Sequence, residues 1–377
     1  MAELSAGAAE AKSEGAVMPR EGLQVRHLAL TLLASAIVIY LLQTMQAVLI
    51  PLVLGGLLFY ALDPGVDWLQ KRSVPRAIGA AVVLLFAVAS VGALAYALRG
   101  QALTVVDQLP TGARRLAASL RTSPVAKPGP IEKVQEAADT LQGATKPAAR
   151  TSGVMRVQVE DKGFQAGSFV LASSMGLASA ANQTVMVLFL TYFMLLSDQL
   201  FKRKLVEIVG TLSQKKVTLL VLENIATQVE RFLMIEIFTS AVVALVTWAA
   251  LWAMGLQQAA LWGLVAGIFN SIPYYGPLLV TAALSVVGFI QFGTIGMTAA
   301  VAGVSLLITT LEGSLLTPTL MGRASSMNQV AVFVGLLFWS WIWGIWGMLL
   351  AVPMMMVLKV VCDHVESLQP LGHLLGE

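Results

Sequence analysis

The chain has 377 residues, 57% hydrophobic and only 12% charged, with a mean hydropathy of +0.78. Soluble domains carry about 25% charged residues, so this chain lacks the polar surface to enclose a globule of its size, and lipid must act as its solvent. The net charge of +3 suits basic cytoplasmic loops and argues against a nucleic-acid binder, which gathers Lys and Arg on one face.

Residues 1–27, rich in Ala, Glu, Ser and Gly, read as a disordered tail. The first apolar run begins at Leu28 with no small-residue cleavage site after it, so it is expected to be an uncleaved first span. A bilayer core of about 30 Å asks for about 20 apolar helical residues per span. Within 28–98 three segments fit, at 28–44, 46–62 and 77–98, with Gln43, Thr44 and Gln46 marking the first turn. A short amphipathic stretch holding Asp63, Asp67, Lys71, Arg72 and Arg76 separates the second from the third.

Between 99 and 181 charges of both signs return and five prolines punctuate the chain. Two pieces, 101–121 and 131–142, look helical, and Met155–Glu160 alternates apolar with polar, a strand signal. A small α/β extramembrane domain is expected there. A fourth span follows in 182–197. The region 198–236 is amphipathic and carries Lys202, Arg203, Lys204, Lys215 and Lys216. By the positive-inside rule it lies in the cytoplasm, as does the 71–76 cluster. The N-terminus is then cytoplasmic and the 99–181 domain outside.

The bundle 237–362 carries two charged residues before Lys359, Glu312 and Arg323. Spans are expected at 237–254 and 295–312. The apolar stretches 258–290 and 329–361 are about 50 Å long as continuous helices, too long for one crossing, so each is expected to break. The first breaker is Asn270-Ser271-Ile272-Pro273-Tyr274-Tyr275-Gly276-Pro277. Proline lacks an amide donor, so Pro273 frees the carbonyl of Phe269 and Pro277 that of Pro273. In hydrocarbon such acceptors must face protein, water or an ion, and broken helices of this kind build transporter sites; a plain turn between two spans is the alternative. The second breaker is Gly344–Gly347, with Pro353 beyond. Trp339, Trp341, Trp343 and Trp346 surround it and suggest an interfacial aromatic girdle at a hairpin turn.

Glu312 is the most informative position. An ionised group at the bilayer centre costs on the order of 2.5–3.5 kcal/mol, so it should bind a cation, pair with Arg323 or take up a proton. Thr309 lies one turn before it, and Thr310, Ser314 and Thr317 line one helical face. The other reading is a hydrated or helix-capping acid near the inner interface. Gly322 and Arg323 mark the cytoplasmic exit, and Gly263-x-x-x-Gly267 is a helix-packing signal. Residues 363–377 form a tail. Three histidines and one cysteine, Cys362, give no metal spacing, disulfide framework or nucleophile–base pair, and no GxxxxGK[ST] loop is present. No cofactor and no enzymatic activity are expected.

The segments IPYYGPLL, LEGSLLTPTLMGR and GIWGMLLAVPMMMVLKVV resemble, in order and spacing, the autoinducer-2 exporter family of bacterial membrane proteins, as does the stretch from Pro51 through Asp63-Pro64 to Arg76. The resemblance implies about eight membrane segments in a bacterial inner membrane and a homo-oligomer. It also implies export of autoinducer-2 or sodium/proton antiport. It carries over Pro273, Tyr275, Gly276, Pro277, Glu312, Gly313, Pro318, Gly322, Gly344, Gly347 and Pro353. Tyr274 departs from the family's smaller aliphatic residue. The expected function is secondary transport of a small hydrophilic solute or a monovalent cation on a proton or sodium gradient, with the bilayer as the other partner. A scaffolding protein that engages partners through 99–181 is the alternative.

Overall fold

The computed structural model describes residues 20–122, 179–197, 204, 207, 212–321, 327–365 and 368–376. They form helices α1 (Arg20–Thr44), α2 (Gln46–Gln70), α3 (Arg76–Thr122), α4 (Ser179–Ser197) and α5 (Leu212–Ala253). Next come α6 (Ala259–Asn270), α7 (Tyr275–Phe292), α8 (Ile295–Met321), α9 (Gln329–His364) and α10 (Gln369–Leu375). Among the described residues seven helices are long and apolar enough to cross a membrane: α2, α4, α7, α8, α9 and most of α3 and α5. Apolar side chains cover their outer faces, with Leu85 67% and Phe86 73% exposed, which suits contact with lipid. The expected strand Met155–Glu160 lies outside the described residues. Among those described there is no strand beyond an isolated bridge between Met327 and Gly376.

Several helices run past the expected segment ends. Helix α2 continues through Asp63 and Pro64 to Gln70, α3 passes residue 98 without a break, and α5 is one 42-residue helix across 236–237. The turn from α2 to α3 is held by Arg76. Its guanidinium reaches Asp63 at 2.6 Å, Asp67 at 2.9 Å and the Leu195 carbonyl at the end of α4 at 2.7 Å.

The turns fall into two sets on opposite faces of the bundle. On one face the Gly344 bend lies beside the α1–α2 turn, where Trp343 Nε1 donates to the Leu42 carbonyl at 3.0 Å. On that face too, Gln291 stitches the α7–α8 turn to the α5–α6 turn: its Nε2 donates to Gly255 O at 2.8 Å and its Oε1 accepts from Gln257 N at 2.9 Å. On the other face lie the α2–α3 turn and the end of α9, where His364 meets Asn224 of α5 at 3.2 Å. The start of α9 joins them, since Asn328 N donates to Leu375 O of α10 at 3.1 Å. Both ends of α9 therefore share a face, and α9 is a helical hairpin.

Packing follows small residues. A side chain on Gly263 or Gly267 would meet backbone oxygens of α5 at 2.6 Å, Ala244 O and Ser240 O respectively, so the GxxxG pair is where α6 presses on α5. Inter-helix hydroxyl bonds add to this: Thr281 of α7 meets Ser305 of α8 at 3.1 Å, and Thr191 of α4 reaches Gly55 O of α2 at 3.3 Å.

Candidate functional site

The long stretch 258–290 breaks at residues 271–274, between α6 and α7. The carbonyls that the prolines release do not stay idle. Phe269 O accepts from Ile272 N at 3.0 Å, and Pro273 O accepts from Tyr275 N at 2.7 Å. Of the partners expected for them, protein, water or an ion, these carbonyls take protein: tighter turn bonds replace the helical ones. The second bond closes a γ-turn centred on Tyr274, whose φ of 62° and ψ of −51° belong to the strained form of that turn. Chain reversal then brings Gly276 onto the Phe269 carbonyl, which leaves no room for a Cβ.

Glu312 opens a five-residue π-turn, Glu312–Leu316, inside α8. Its carbonyl accepts from Thr317 N, five residues on. Pro318 follows at once and has no N–H to offer the turn before it, so a wider turn costs little here. An α-helix sets residues five apart about 140° from each other. The π-turn brings them closer, and Thr317 Oγ1 donates to Glu312 Oε1 at 2.5 Å. Ser314 instead bonds back to Thr310 O and is exposed. Thr309 bonds back to Ser305 O at 3.1 Å.

A cavity of about 570 Å³ joins these two irregular segments. Asn270, Ser271, Pro273, Tyr274 and Pro277 line it from the α6–α7 tip, and Thr309, Thr310, Glu312, Gly313 and Thr317 from α8. Phe232 and Glu236 line it from α5, and Val352 from α9. Of the remaining expected site residues, Gly276 is buried at the tip. Tyr275 packs against the α9 core formed by Leu336, Trp339 and Leu350. Pro318 stands exposed on α8. Gly322 and Arg323 lie outside the described residues.

Sequence reading missed Glu236. Its hydroxyl partners are Ser240, whose Oγ lies 3.5 Å from Glu236 Oε1 and also 3.5 Å from Ser271 Oγ, and Ser271 itself. The available signal was the Phe232-Glu236-Ser240 spacing, one acid and one hydroxyl on the same helical face as a buried Phe. Glu236 lies seventeen residues from the end of α5, and Glu312 the same number from the start of α8. Those two ends are the turns that Gln291 stitches together. At 1.5 Å per residue both positions lie about 26 Å along their helices from those turns, which in a core of about 30 Å is towards the opposite membrane face.

At the second breaker Gly344 adopts φ 60° and ψ −134°, a conformation open to glycine alone, and Gly347 packs on the Trp339 carbonyl. The tryptophans divide. Trp341 and Trp346 are exposed, as a girdle requires, but Trp339 and Trp343 are buried in the α9 core. Pro353 is buried inside α9. Among the described residues no group of three His, Cys, Asp or Glu side chains suits a metal.

Residues 28–367 match the profile described as AI-2E family transporter. This chain belongs to that family. The AI-2 transport protein TqsA of Escherichia coli strain K12 is 32% identical over 149 residues, 40% of this chain and 43% of that protein. The putative transport protein YhhT of the same strain is 23% identical over 350 residues, 93% of this chain and 94% of its own length. YrrI of Bacillus subtilis strain 168, also described as a putative transport protein, is 24% identical over 328 residues, 85% and 87%. With seven helices able to span among the described residues, this AI-2E chain is a multi-pass membrane transporter.

Proposed function

We propose that the chain is a gradient-driven secondary transporter, not an enzyme, and that the cavity between α5, the α6–α7 tip and α8 binds its cargo. The observation that supports this most directly is the convergence on one cavity of an intramembrane carboxylate, Glu312, with a broken helix tip and a π-turn. Polar irregular backbone at that depth is tolerated only where it is buried in protein or faces a water-filled space. The cargo is a small hydrophilic solute, autoinducer-2-like as the name of TqsA suggests, or a monovalent cation, moved on a proton or sodium gradient. Glu312 is the ionisable centre, with Thr309, Asn270 and Ser271 as polar neighbours. The protein works as a homo-oligomer in a bacterial inner membrane with its N-terminus in the cytoplasm.

The test is flux in proteoliposomes against a panel of monovalent cations and autoinducer-2, with pH and sodium gradients imposed separately. Glu312→Gln is expected to lose at least nine-tenths of gradient-driven flux. Parental flux in that variant would sink the reading. The scaffolding alternative draws on the length of α3, whose 47 residues extend about 70 Å, well beyond a bilayer core. It predicts that deleting 123–178 abolishes function while Glu312→Gln leaves it intact.

A further inference from the structure

Glu236 has no part in the reading above, yet it faces the same cavity as Glu312 from a different helix and at the same depth. Each carboxylate has its own hydroxyl donor: Thr317 for Glu312 at 2.5 Å, and Ser240 for Glu236 at 3.5 Å. Apart from the Tyr274 phenol, they are the ionisable groups among the described residues that line the cavity. The nearest described cation on these helices is Arg231 of α5, whose Nη2 points to the Leu320 carbonyl at 3.5 Å. Arg323 follows the end of α8 and lies outside the described residues.

Two carboxylates that line one cavity repel each other, and a compensating charge relieves that repulsion. One proton or one monovalent cation supplies it, and the pair then carries the same net charge in either state. We propose that Glu236 and Glu312 form a single exchange site that holds either one shared proton or one monovalent cation. On cation entry the O–H bond of the protonated carboxyl breaks, its proton leaves to water, and the cation takes its place between the two carboxylates. This rests on the cavity being the transport site and names its coupling chemistry.

The experiment adds sodium, lithium or potassium chloride, with choline chloride as control, to the full-length protein in detergent at neutral pH. An indicator dye reads proton release. The parent is expected to release up to about one proton per chain. Glu236→Gln and Glu312→Gln are each expected to release less than about a tenth of that, because a lone carboxylate has no shared proton to give up. Parental release from Glu236→Gln overturns the proposal, as does the absence of release from the parent with all three cations. Glu236→Asp keeps the carboxylate but shortens its reach. It should retain release with a displaced pH midpoint, and an unchanged midpoint also overturns the pair if Glu236→Gln does not fold. A parent that exchanges protons in detergent but moves nothing across proteoliposomes sinks the transport reading alone. A transporting parent matched by Glu236→Gln sinks the pair alone.

Discussion

The carbonyl oxygen of Phe269 stands where a side chain on Gly276 would begin. The α6–α7 tip is thus closed on itself by backbone contact, with a reversal only seven residues long. Gly276→Ala must push the two arms apart. Overpacking in a closed structure costs about 1–3 kcal/mol, and here the neighbour is backbone that cannot rotate away. The expected result is a melting temperature in detergent several degrees lower and a more than tenfold loss of flux. Parental values for both would show that the tip is looser than described.

The γ-turn at Tyr274 makes opposite demands on two aromatic residues. Tyr274 holds a strained backbone, worth about 1–3 kcal/mol, while its ring meets Phe333 of α9 at 5.8 Å in an edge-on arrangement. Such a ring pair contributes about 0.5–1.5 kcal/mol. In Tyr274→Gly, strain relief offsets the lost contact, and stability is expected to stay within about 1 kcal/mol of the parent. Phe333→Ala loses contacts without relieving strain and is expected to be the less stable of the two. Thermal unfolding of both variants in one detergent decides the order.

Arg76 binds two acids of α2 and a carbonyl of α4. Removing one partner of a buried pair costs about 3–5 kcal/mol, but Asp67 is half exposed and exposed pairs contribute little. Arg76→Leu is therefore expected to lose about 1–3 kcal/mol. Arg76→Lys, with one compact charge where the guanidinium serves several acceptors, should recover less than half of that. Full recovery by lysine would mean that the planar fork is irrelevant.

Gln291 spans two turns with two hydrogen bonds. Gln291→Ala removes both, at about 0.5–1.5 kcal/mol each. The local consequence is the sharper test: amide exchange at residues 255–258 should accelerate by about tenfold, while α9 amides stay at the parental rate.

The parts of the site that sequence revealed are those where polar atoms interrupt oil. Asn270, Ser271 and the two prolines, like Glu312 with its threonines, stand out because apolar residues surround them, and the cavity joins them. Glu236 escaped notice for the converse reason. Glu223, Glu230 and Arg231 precede it, so it looked like the last charge of a surface helix; only the unbroken run of α5 against α6 carries it to cavity depth. Composition could not tell the buried tryptophans, Trp339 and Trp343, from the exposed pair. An indole in a membrane protein suggests an interface, but the Trp343 N–H finds the Leu42 carbonyl three hundred residues away in sequence, a partner no local pattern predicts. The proline-released carbonyls take protein partners, one of the three kinds the sequence allowed, because a turn re-pairs them within two or three residues.

The Gln291 stitch also gives the α6–α7 hairpin a mechanical asymmetry. Its base is tied across its own two ends by the pair of Gln291 hydrogen bonds, while its tip meets the neighbouring helices through side chains alone, Tyr274 on Phe333 of α9 and Ser271 on Ser240 of α5. A pivot at the base acts as a lever with arms of about 18 and 27 Å, so a swing of about 10° carries Asn270 and Ser271 some 3–5 Å, roughly the width of one water molecule or a bare ion.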